Sequence, residues 1–287
     1  MEHKRKPKWL LKKVFFAQKK DVEMSLKDIG IHTVCQEAMC PNMSECFSKK
    51  LATFMILGST CTRACTFCSV NTGVPNGTVD TDEPQKVARA VQSLGLKHVV
   101  ITSVTRDDLD DGGAEQFIRC VKAIKDIDAN ITVELLIPDL KYNSEAIKAV
   151  ANSGAEVVGH NIETVPRLYH VRKGANYKKS LDVLKELKIA NPKVKTKSAL
   201  MLGLGESEDE LKTSLQDLLD VECTLLTMGQ YLAPSKAHTE VIEYIDPKKF
   251  EEYGDKAIDM GFEFVKSSPY TRSSYMAHEY FENEGKL

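Results

Sequence analysis

The sequence lacks an excess of charge of either sign, since 39 Lys and Arg residues stand against 41 Asp and Glu in a chain of 287. Such a balance gives the molecule no overall attraction to nucleic acid or to an anionic membrane. The chain also lacks an apolar run near the roughly 20 residues that a membrane span needs. Its basic N-terminus, including KRKPKWLLKK at 4–13, carries neither the apolar core nor the cleavage site of a secretory signal. We therefore expect a cytoplasmic protein with no nucleic-acid partner and no membrane.

Low-complexity segments and Gly/Ser linkers are absent as well, which favours one large domain. Cysteine, by contrast, is concentrated. Six of the eight cysteines lie in two short segments, CQEAMCPNMSECF at 35–47 and CTRACTFC at 61–68. In a reducing compartment, clustered cysteines are typical of metal ligands or redox thiols rather than of a disulfide framework. The remaining two, Cys120 and Cys223, are predicted to be buried apolar residues.

Short β-rich apolar runs alternate with amphipathic helical patterns along most of the chain. The runs span 51–57, 98–103, 131–138, 157–163, 195–203 and 225–232. Strand, helix and strand repeated in this way predict parallel strands joined by right-handed crossovers, hence an α/β fold that is an open sheet or a full or partial βα barrel. In either architecture the reactive groups gather at the carboxyl ends of the strands.

The second triplet, Cys61, Cys65 and Cys68, follows directly on the first predicted strand with the spacing C-x3-C-x2-C. Thiolates spaced this closely can converge on one soft metal centre, and three ligands leave one iron of a four-iron cluster open. A zinc knuckle with a distant fourth ligand, or three thiols without metal, are the alternatives. The segment resembles the CxxxCxΦC signature of the radical S-adenosylmethionine enzymes, with Phe67 at the aromatic position. That resemblance implies a [4Fe–4S] cluster whose open iron binds S-adenosylmethionine.

The first triplet, Cys35, Cys40 and Cys46, has the different spacing C-x4-C-x5-C, so a second cluster is the simplest interpretation. Its spacing and setting are similar to the auxiliary cluster motif of the lipoyl synthases. Further segments resemble that family in order, from about residue 30 to residue 280: GSTCTRACTFCSV, TSVTRDDLDDGGA, GHNIETVPRLY, KSALMLGLGE, TMGQYLAPS and RSSY. The resemblance implies that a serine of RSSY (272–275) is the fourth cluster ligand. We assign it to Ser274, with Ser273 as the alternative.

The same resemblance implies an organisation and an activity. It implies a partial (β/α)6 TIM-type barrel at 51–260, with an N-terminal extension at 1–50 and a C-terminal extension at 261–287 that together hold the auxiliary cluster. The implied reaction is radical insertion of two sulfur atoms at C6 and C8 of a protein-bound octanoyl group, consuming two S-adenosylmethionine molecules and the auxiliary [4Fe–4S] cluster. Cys61, Cys65, Cys68 and Ser274 would be the catalytic residues.

The implied partners are an octanoylated lipoyl carrier protein, either a glycine cleavage H protein or the E2 domain of a 2-oxoacid dehydrogenase, with flavodoxin or ferredoxin as electron donor and a carrier protein that repairs the cluster. Other activities remain as alternatives. A methylthiotransferase-like radical enzyme or a peptide maturase shares the second triplet but not RSSY. A two-cluster electron-transfer protein needs four cysteines for each cluster, and a zinc-dependent binding module needs neither cluster.

Polar residues near the predicted strand ends are candidates for binding the cofactor. After the second strand, Ser103, Thr105 and Asp107 could accept the methionine amino group, while locally the segment is interpreted as an acidic turn that closes on glycines and starts a helix. Asn161 and Glu163 end the fourth strand and could hold the ribose or the amino acid part. A hydrogen-bonded structural pair is the alternative for these two.

Four more candidates lie in or near the strands. Lys197 and Ser198 lie within one, where a buried lysine needs a carboxylate partner, and Arg172 could serve likewise. Gly203, in LMLGLGE, could allow the backbone to approach the adenine, with a simple strand-to-helix turn as the alternative. His160 and His238 are interpreted as structural rather than as metal ligands.

Overall fold

A computed structural model describes residues 5–11, 30–37, 40–48, 51, 53–75 and 78–283. Parts of the expected N-terminal extension, and the end of the basic run at 4–13, lie outside the described residues. The described part of that extension contains a 3₁₀ turn at Lys8–Leu10, a short strand β1 at His32–Thr33, and two short helices, α1 at Val34–Glu37 and α2 at Met43–Ser48.

The main sheet has eight strands and a sequential order. Besides β1 these are β2 (Thr53–Ile56), β5 (His98–Ser103), β6 (Thr132–Leu136), β7 (Val157–Gly159), β8 (Lys195–Leu202), β9 (Leu225–Gln230) and β10 (Phe264–Ser267), while β3 (Thr60–Cys61) and β4 (Asn71–Thr72) form a separate pair. Only β1 runs antiparallel to its neighbour, and every other pair in the main sheet is parallel.

This order confirms the predicted fold class. Each of the six predicted apolar runs contains a strand, and each strand lies beside the next one along the chain. A singly wound parallel sheet of this kind is the arrangement of a βα barrel, and its two edge strands, β1 and β10, are not paired with each other within the described residues. The barrel is therefore partial. The strand β10 was not predicted, and it extends the parallel sheet past residue 260.

Helices cover the outer face of the sheet. They are α3 (Glu83–Leu94), α4 (Ala114–Lys125), α5 (Ser144–Ala151), α6 (Tyr177–Ala190), α7 (Glu208–Asp220) and α8 (Pro247–Met260), and a short α9 (Glu279–Asn283) follows in the tail. Asn143 accepts two backbone hydrogen bonds at the start of α5, and Ser207 forms a reciprocal cap with Glu210 at the start of α7. Satisfying backbone donors in this way sets where a helix begins.

Alternate strand residues face two different apolar clusters. Val99, Ile101 and their equivalents pack under the helices, together with the fully buried Cys120 and Cys223. The opposite face of the sheet is covered in part by the C-terminal tail, where Ala277 and Tyr280 pack with residues of β5, β7 and β9. The two isolated cysteines are thus core residues, as predicted. No helix within the described ranges is long and apolar enough to cross a membrane.

Candidate functional site

The loop that carries the second triplet begins where β2 ends and is tied to the end of β5. The backbone N–H and the hydroxyl of Thr62 both donate to the carbonyl oxygen of Thr105, each at 3.0 Å. Further along the loop, the Thr66 N–H donates to Val171 O at 2.8 Å, and the Cys68 carbonyl lies 3.1 Å from His238 Nε2. The sequence therefore places these cysteines at the carboxyl ends of the strands, as parallel topology requires.

Arg63, inside the cysteine motif, fixes this loop by two ion pairs. Its guanidinium donates to both carboxylate oxygens of Asp107 at 2.8 and 2.9 Å, and it also pairs with Asp139. The Arg63 side chain is 11% exposed, so these charge-assisted hydrogen bonds offset the loss of solvation of the cation. The hydrogen bond from Arg63 also lowers the pKa of Asp107. Asp107 thus holds the loop rather than presenting a vacant carboxylate.

The thiols of this loop are protonated when no metal is bound, and they suit a soft metal centre such as iron. Burial raises the pKa of Cys65 to about 12, and repulsion from Cys68 and Cys61 adds to the effect, while Arg172 opposes it. Burial also raises the pKa of Cys68. Such thiols stay neutral without a cation and are deprotonated when a metal centre binds. Three thiolates carried by one short loop are a donor set that suits an iron–sulfur cluster.

Within the described ranges, the His, Cys, Asp and Glu side chains form no ready-made site of three or more ligands for a single metal ion.

A polar group next to the second triplet joins three of the predicted residues. Asn161 donates to Glu163 Oε1 at 3.0 Å, so the two side chains are hydrogen-bonded to each other. Glu163 has a φ of 67°, an uncommon value for a residue with a side chain, and such values cluster at functional sites. Burial lowers the pKa of Arg172, but Tyr169, Glu163 and Cys65 outweigh burial and raise it. Arg172 is therefore close enough to both Glu163 and Cys65 to interact with their charges.

Ser103 is the other predicted residue with capacity for a ligand. It ends β5, and its hydroxyl oxygen is buried without a hydrogen-bond partner in the structure. Buried hydroxyl groups are nearly always paired, so an unpaired one beside a proposed site fits a polar ligand. Thr105, by contrast, contributes its backbone carbonyl to the loop of Cys61.

Two predicted residues have structural partners instead. Lys197 is 2% exposed and donates to Glu134 Oε1 at 2.7 Å, which supplies the carboxylate that a buried lysine requires. Ser198 donates to His160 O at 2.9 Å and accepts from Ile162 N–H at 3.1 Å. None of these side chains lines the cavity described below.

Gly203 is also crowded by protein. With φ at 97°, an added Cβ would lie 2.3 Å from both Gln230 Nε2 and Glu243 O. The close backbone approach expected at this glycine is therefore to the chain itself, and the residue does not line the cavity near the cysteines.

The first triplet meets the C-terminal tail. Cys35, Cys40, Cys46 and Ser274 line one small cavity, together with Thr53. Burial raises the pKa of Cys35 to about 11, and the neighbouring Cys40 adds repulsion. Thr53 donates to Ser274 Oγ at 2.8 Å. The structure thus brings together all four residues predicted to hold an auxiliary cluster, although Ser274 lies more than 200 residues from the cysteines.

Contacts along the tail hold this arrangement. Asn42 Nδ2 donates to Tyr270 O at 2.6 Å, and Tyr275 Oη donates to Glu45 Oε1 at 3.0 Å. The tail also lies against β9 at Gly229, where a Cβ would be 2.0 Å from the carbonyl oxygen of Thr271. The adjacent Ser273 donates to Asn161 Oδ1 at 3.1 Å, away from the cysteines of the first triplet.

A larger cavity of about 410 Å³ connects the two cysteine groups. Phe67 and Cys68 line it from the second triplet, and Cys35, Cys40 and Ser274 from the first. Asn161 and Glu163 line it as well, and its apolar walls include Leu136, Leu200, Met201, Tyr231 and Leu232. A chamber with reactive ligands at both ends and apolar walls between them suits a substrate with an aliphatic chain.

Several important residues were missed from the sequence. Arg63 and Asp139 fix the second loop, and the signal for them was a charged residue inside the cysteine motif, which needs a carboxylate when buried. Arg272 lines both cavities and is buried, yet no carboxylate partner is recorded for it within the described part of the chain. Thr53 carried no signal, because a threonine in a strand is ordinary.

Comparison with known proteins is consistent with this geometry. Residues 55–218 match the Radical SAM superfamily. The lipoyl synthase of Geotalea daltonii is 50% identical over 285 residues, which cover 99% of this chain and 97% of the relative. The lipoyl synthase of Caldicellulosiruptor bescii is 51% identical over 292 aligned positions, which cover 100% of both chains.

Solved structures show the same fold at low sequence identity. Streptococcus suis SuiB bound to S-adenosylmethionine has a TM-score of 0.58 at 12% identity, covering 87% of this chain and 60% of that one. HydG, a maturase of the [FeFe]-hydrogenase, has a TM-score of 0.57 at 12% identity, covering 93% of this chain and 74% of that one. These two structural similarities are evidence for the fold alone.

Proposed function

Because the chain belongs to the lipoyl synthase family of the Radical SAM superfamily, we propose that its two cysteine triplets divide the work of inserting sulfur into an octanoyl chain. The enzyme inserts two sulfur atoms, at C6 and C8 of a protein-bound octanoyl group, and uses S-adenosylmethionine and [4Fe–4S] clusters. What we propose is which residues hold each component, and why the cavity between them fits the substrate.

Cys61, Cys65 and Cys68 would hold the cluster that binds S-adenosylmethionine, and Cys35, Cys40, Cys46 and Ser274 would hold the auxiliary cluster. When bound, the first cluster supplies the electron that cleaves the sulfonium, and the second supplies the inserted sulfur. Ser274 is favoured over Ser273 because its oxygen lies in the cavity of the first triplet, whereas Ser273 donates to Asn161. Cysteines of the N-terminal extension and a serine of the C-terminal extension would thereby hold one cluster, beside a barrel that begins at about residue 51 and includes β10.

Around the second triplet, the chain's residues can bind and orient the cofactor. The unpaired Ser103 hydroxyl and the Asn161–Glu163 pair would meet its polar groups, with the Arg172 cation near Glu163 and Cys65. Thr105 and Asp107 would act indirectly, by holding the loop that carries the second triplet. Lys197, Ser198 and Gly203 are supported as structural residues.

The single observation that carries this proposal is the cavity shared by the two cysteine groups. Its apolar walls would surround an eight-carbon chain and exclude water, so that a reactive carbon lies close to both ends. A two-cluster electron-transfer protein, whose clusters each have four cysteine ligands, has no need of a substrate cavity. Leu136, Leu200 and Leu232 would contact the aliphatic part of the substrate.

The partners follow from the chemistry. The substrate is octanoylated on a carrier protein, and we propose a glycine cleavage H protein or an E2 domain as that carrier. A flavodoxin or ferredoxin would supply electrons, and a carrier of iron–sulfur clusters would restore the auxiliary one. A reducing cytoplasmic location is proposed because six thiols of this chain serve as ligands.

Mass spectrometry of an octanoylated lysine peptide tests the function. The peptide is incubated without oxygen with the reconstituted protein, a reductant and S-adenosylmethionine. The expected product carries two added sulfurs, and the protein is expected to hold about eight irons before turnover, in keeping with two four-iron clusters. An unchanged peptide in the presence of cofactor cleavage would contradict the proposal.

A further inference from the structure

Thr53 touches two of the proposed ligands of the auxiliary cluster. Its hydroxyl donates its one proton to Ser274 Oγ at 2.8 Å, and its backbone lies against Cys35, where it partly opposes the rise of that thiol's pKa. The residue is 4% exposed, so water does not compete for the hydrogen bond to Ser274. A single residue therefore contacts both the first cysteine of the triplet and the distant serine.

The strand pairing explains why Thr53 occupies this position. It is the first residue of β2, and β2 pairs antiparallel with β1, Phe54 opposite Thr33 and Met55 opposite His32. Continuing that register brings residue 53 beside the turn that leads into Cys35. The tail reaches the same strand at its first residue, where Ser274 Oγ accepts the hydrogen bond from the Thr53 hydroxyl. The N-terminal and C-terminal segments thus meet at Thr53.

We propose that Thr53 is a positioning residue for the auxiliary cluster, one that holds the Ser274 oxygen beside the first triplet. This inference rests on the proposed assignment of Cys35, Cys40, Cys46 and Ser274 as ligands. A serine side chain samples three rotamers, and the tail carries no further hydrogen bond on Ser274 Oγ within the described residues. The Thr53 hydroxyl selects the rotamer that presents the oxygen to the iron.

The arrangement also explains how a weak ligand can be used. Oxygen is a poorer match than thiolate for cluster iron, so this ligand gains from being held in place. Hydrogen bonds to groups that ligate a metal commonly change metal affinity or activity by about 10- to 100-fold. Loss of the Thr53 hydroxyl is therefore expected to act on one iron of the auxiliary cluster and to leave the second triplet unaffected.

The test compares Thr53→Val, which keeps the shape and removes the hydroxyl, with Thr53→Ser, which keeps the hydroxyl. Both are made in full-length chains whose second triplet is replaced by alanine, so that all cluster iron belongs to the first triplet. A ferrous chelator is added to the reconstituted protein, and the rate of iron withdrawal is followed by absorbance. Thr53→Val is expected to lose iron about 10-fold faster, and Thr53→Ser to lose it at the parent rate.

The matched control is Thr196→Val, which removes a different buried threonine hydrogen bond, from Thr196 Oγ1 to Glu222 O at 2.7 Å in β8. It is expected to leave iron withdrawal unchanged. Equal rates for Thr53→Val and its parent would overturn the inference, as would a Thr53→Ser chain that loses iron as fast as Thr53→Val. Should Thr53→Val fail to fold, Thr53→Ser and Thr53→Ala compared at the same temperature give the same discrimination.

Failure of the underlying assignment has a different outcome. If Cys35, Cys40, Cys46 and Ser274 do not hold a cluster, the parent chain without the second triplet binds no cluster at all. If only the role of Thr53 is wrong, that parent chain binds about four irons and all three variants release them at one rate. A second readout in the otherwise unaltered enzyme is cofactor cleavage, which Thr53→Val is expected to leave at the wild-type rate.

Discussion

The two cysteine triplets are similar in composition but are held in different ways. The second triplet lies in one loop after β2, fixed by carboxylates from the ends of neighbouring strands, Asp107 and Asp139. The first triplet depends on a segment far along the chain, through Thr53–Ser274, Asn42–Tyr270 and Glu45–Tyr275.

The difference teaches how robust each site should be. The loop of the second triplet is fixed by the barrel itself, whereas the first site is complete only when both terminal segments are in place. If the auxiliary cluster is rebuilt after each turnover, ligands from two separate segments allow the first site to open and close again. The second site has to orient a bound cofactor, and a rigid frame serves that purpose.

The largest effect is expected from replacing the cysteines themselves, which tests whether the two triplets have separate roles. Alanine at Cys61, Cys65 or Cys68 is expected to abolish cleavage of S-adenosylmethionine. Alanine at Cys35, Cys40 or Cys46 is expected to spare cleavage and to stop sulfur insertion, because the proposed sites of radical formation and sulfur donation are separate. Chromatography of the 5′-deoxyadenosine product and mass spectrometry of the peptide measure the two steps. Identical behaviour of the two sets would show that the triplets form one functional unit.

The next effect concerns the frame of the second triplet. Arg63→Met leaves Asp107 and Asp139 close together without their cation, so the loop is expected to shift and cofactor cleavage to fall roughly 10- to 100-fold. Iron bound by the first triplet should not change. Arg167→Met, which removes an exposed ion pair with Glu210, is the matched control and should be close to neutral. An equal loss of iron from both sites would contradict the separate frames.

A smaller effect is expected from the tail. Gly229→Ala places a Cβ 2.0 Å from the carbonyl oxygen of Thr271, so the tail has to move, at a cost of roughly 1–3 kcal/mol. Chelator withdrawal of auxiliary iron should become faster while cofactor cleavage persists. Gly73→Ala is the control, since its Cβ would make an ordinary 3.5 Å contact. Loss of cleavage before loss of auxiliary iron would mean that the tail supports the other site.

The sequence was sufficient for the sheet because buried parallel strands are near-continuous apolar runs, which local pattern reveals. The strand 98–103 was predicted with its observed bounds, and the other five differ by a few residues at their ends. The sequence was less informative for β10, because its four residues are all half-buried and so give a weak apolar pattern.

Pairing between distant residues could not be read from local pattern. Lys197 was interpreted as a cofactor ligand, yet its carboxylate partner, Glu134, lies two strands away and becomes its neighbour only through the sheet register. Tyr280 from the tail donates to the same carboxylate, which no sequence spacing indicates. The cysteines and Ser274 were located because the family resemblance joins distant motifs, and residues outside those motifs, such as Thr53, were not.

The smallest expected effect concerns a property that the two triplets share, the raised pKa of a buried thiol. Burial holds the pKa of Cys35 near 11 and that of Cys65 near 12, above the 9.0 of an unperturbed thiol. In the chain without clusters, these neutral thiols stabilise the fold fully below pH 9. Above it the unfolded chain loses protons that the folded chain keeps, so stability falls with rising pH, by at most about 1.4 kcal/mol per pH unit for each thiol.

Cluster-loaded protein should not show this loss, because its ligands are already deprotonated when folded. Melting temperatures of both forms at pH 8 and pH 10 measure the difference, and the raised pKa values of Cys120 and Cys223 contribute equally to the two forms. Cys35→Ala and Cys65→Ala, each made in the cluster-free chain, assign the effect to one region or the other. A fall of the same size in loaded and cluster-free protein would mean that the thiols of neither triplet are the titrating groups.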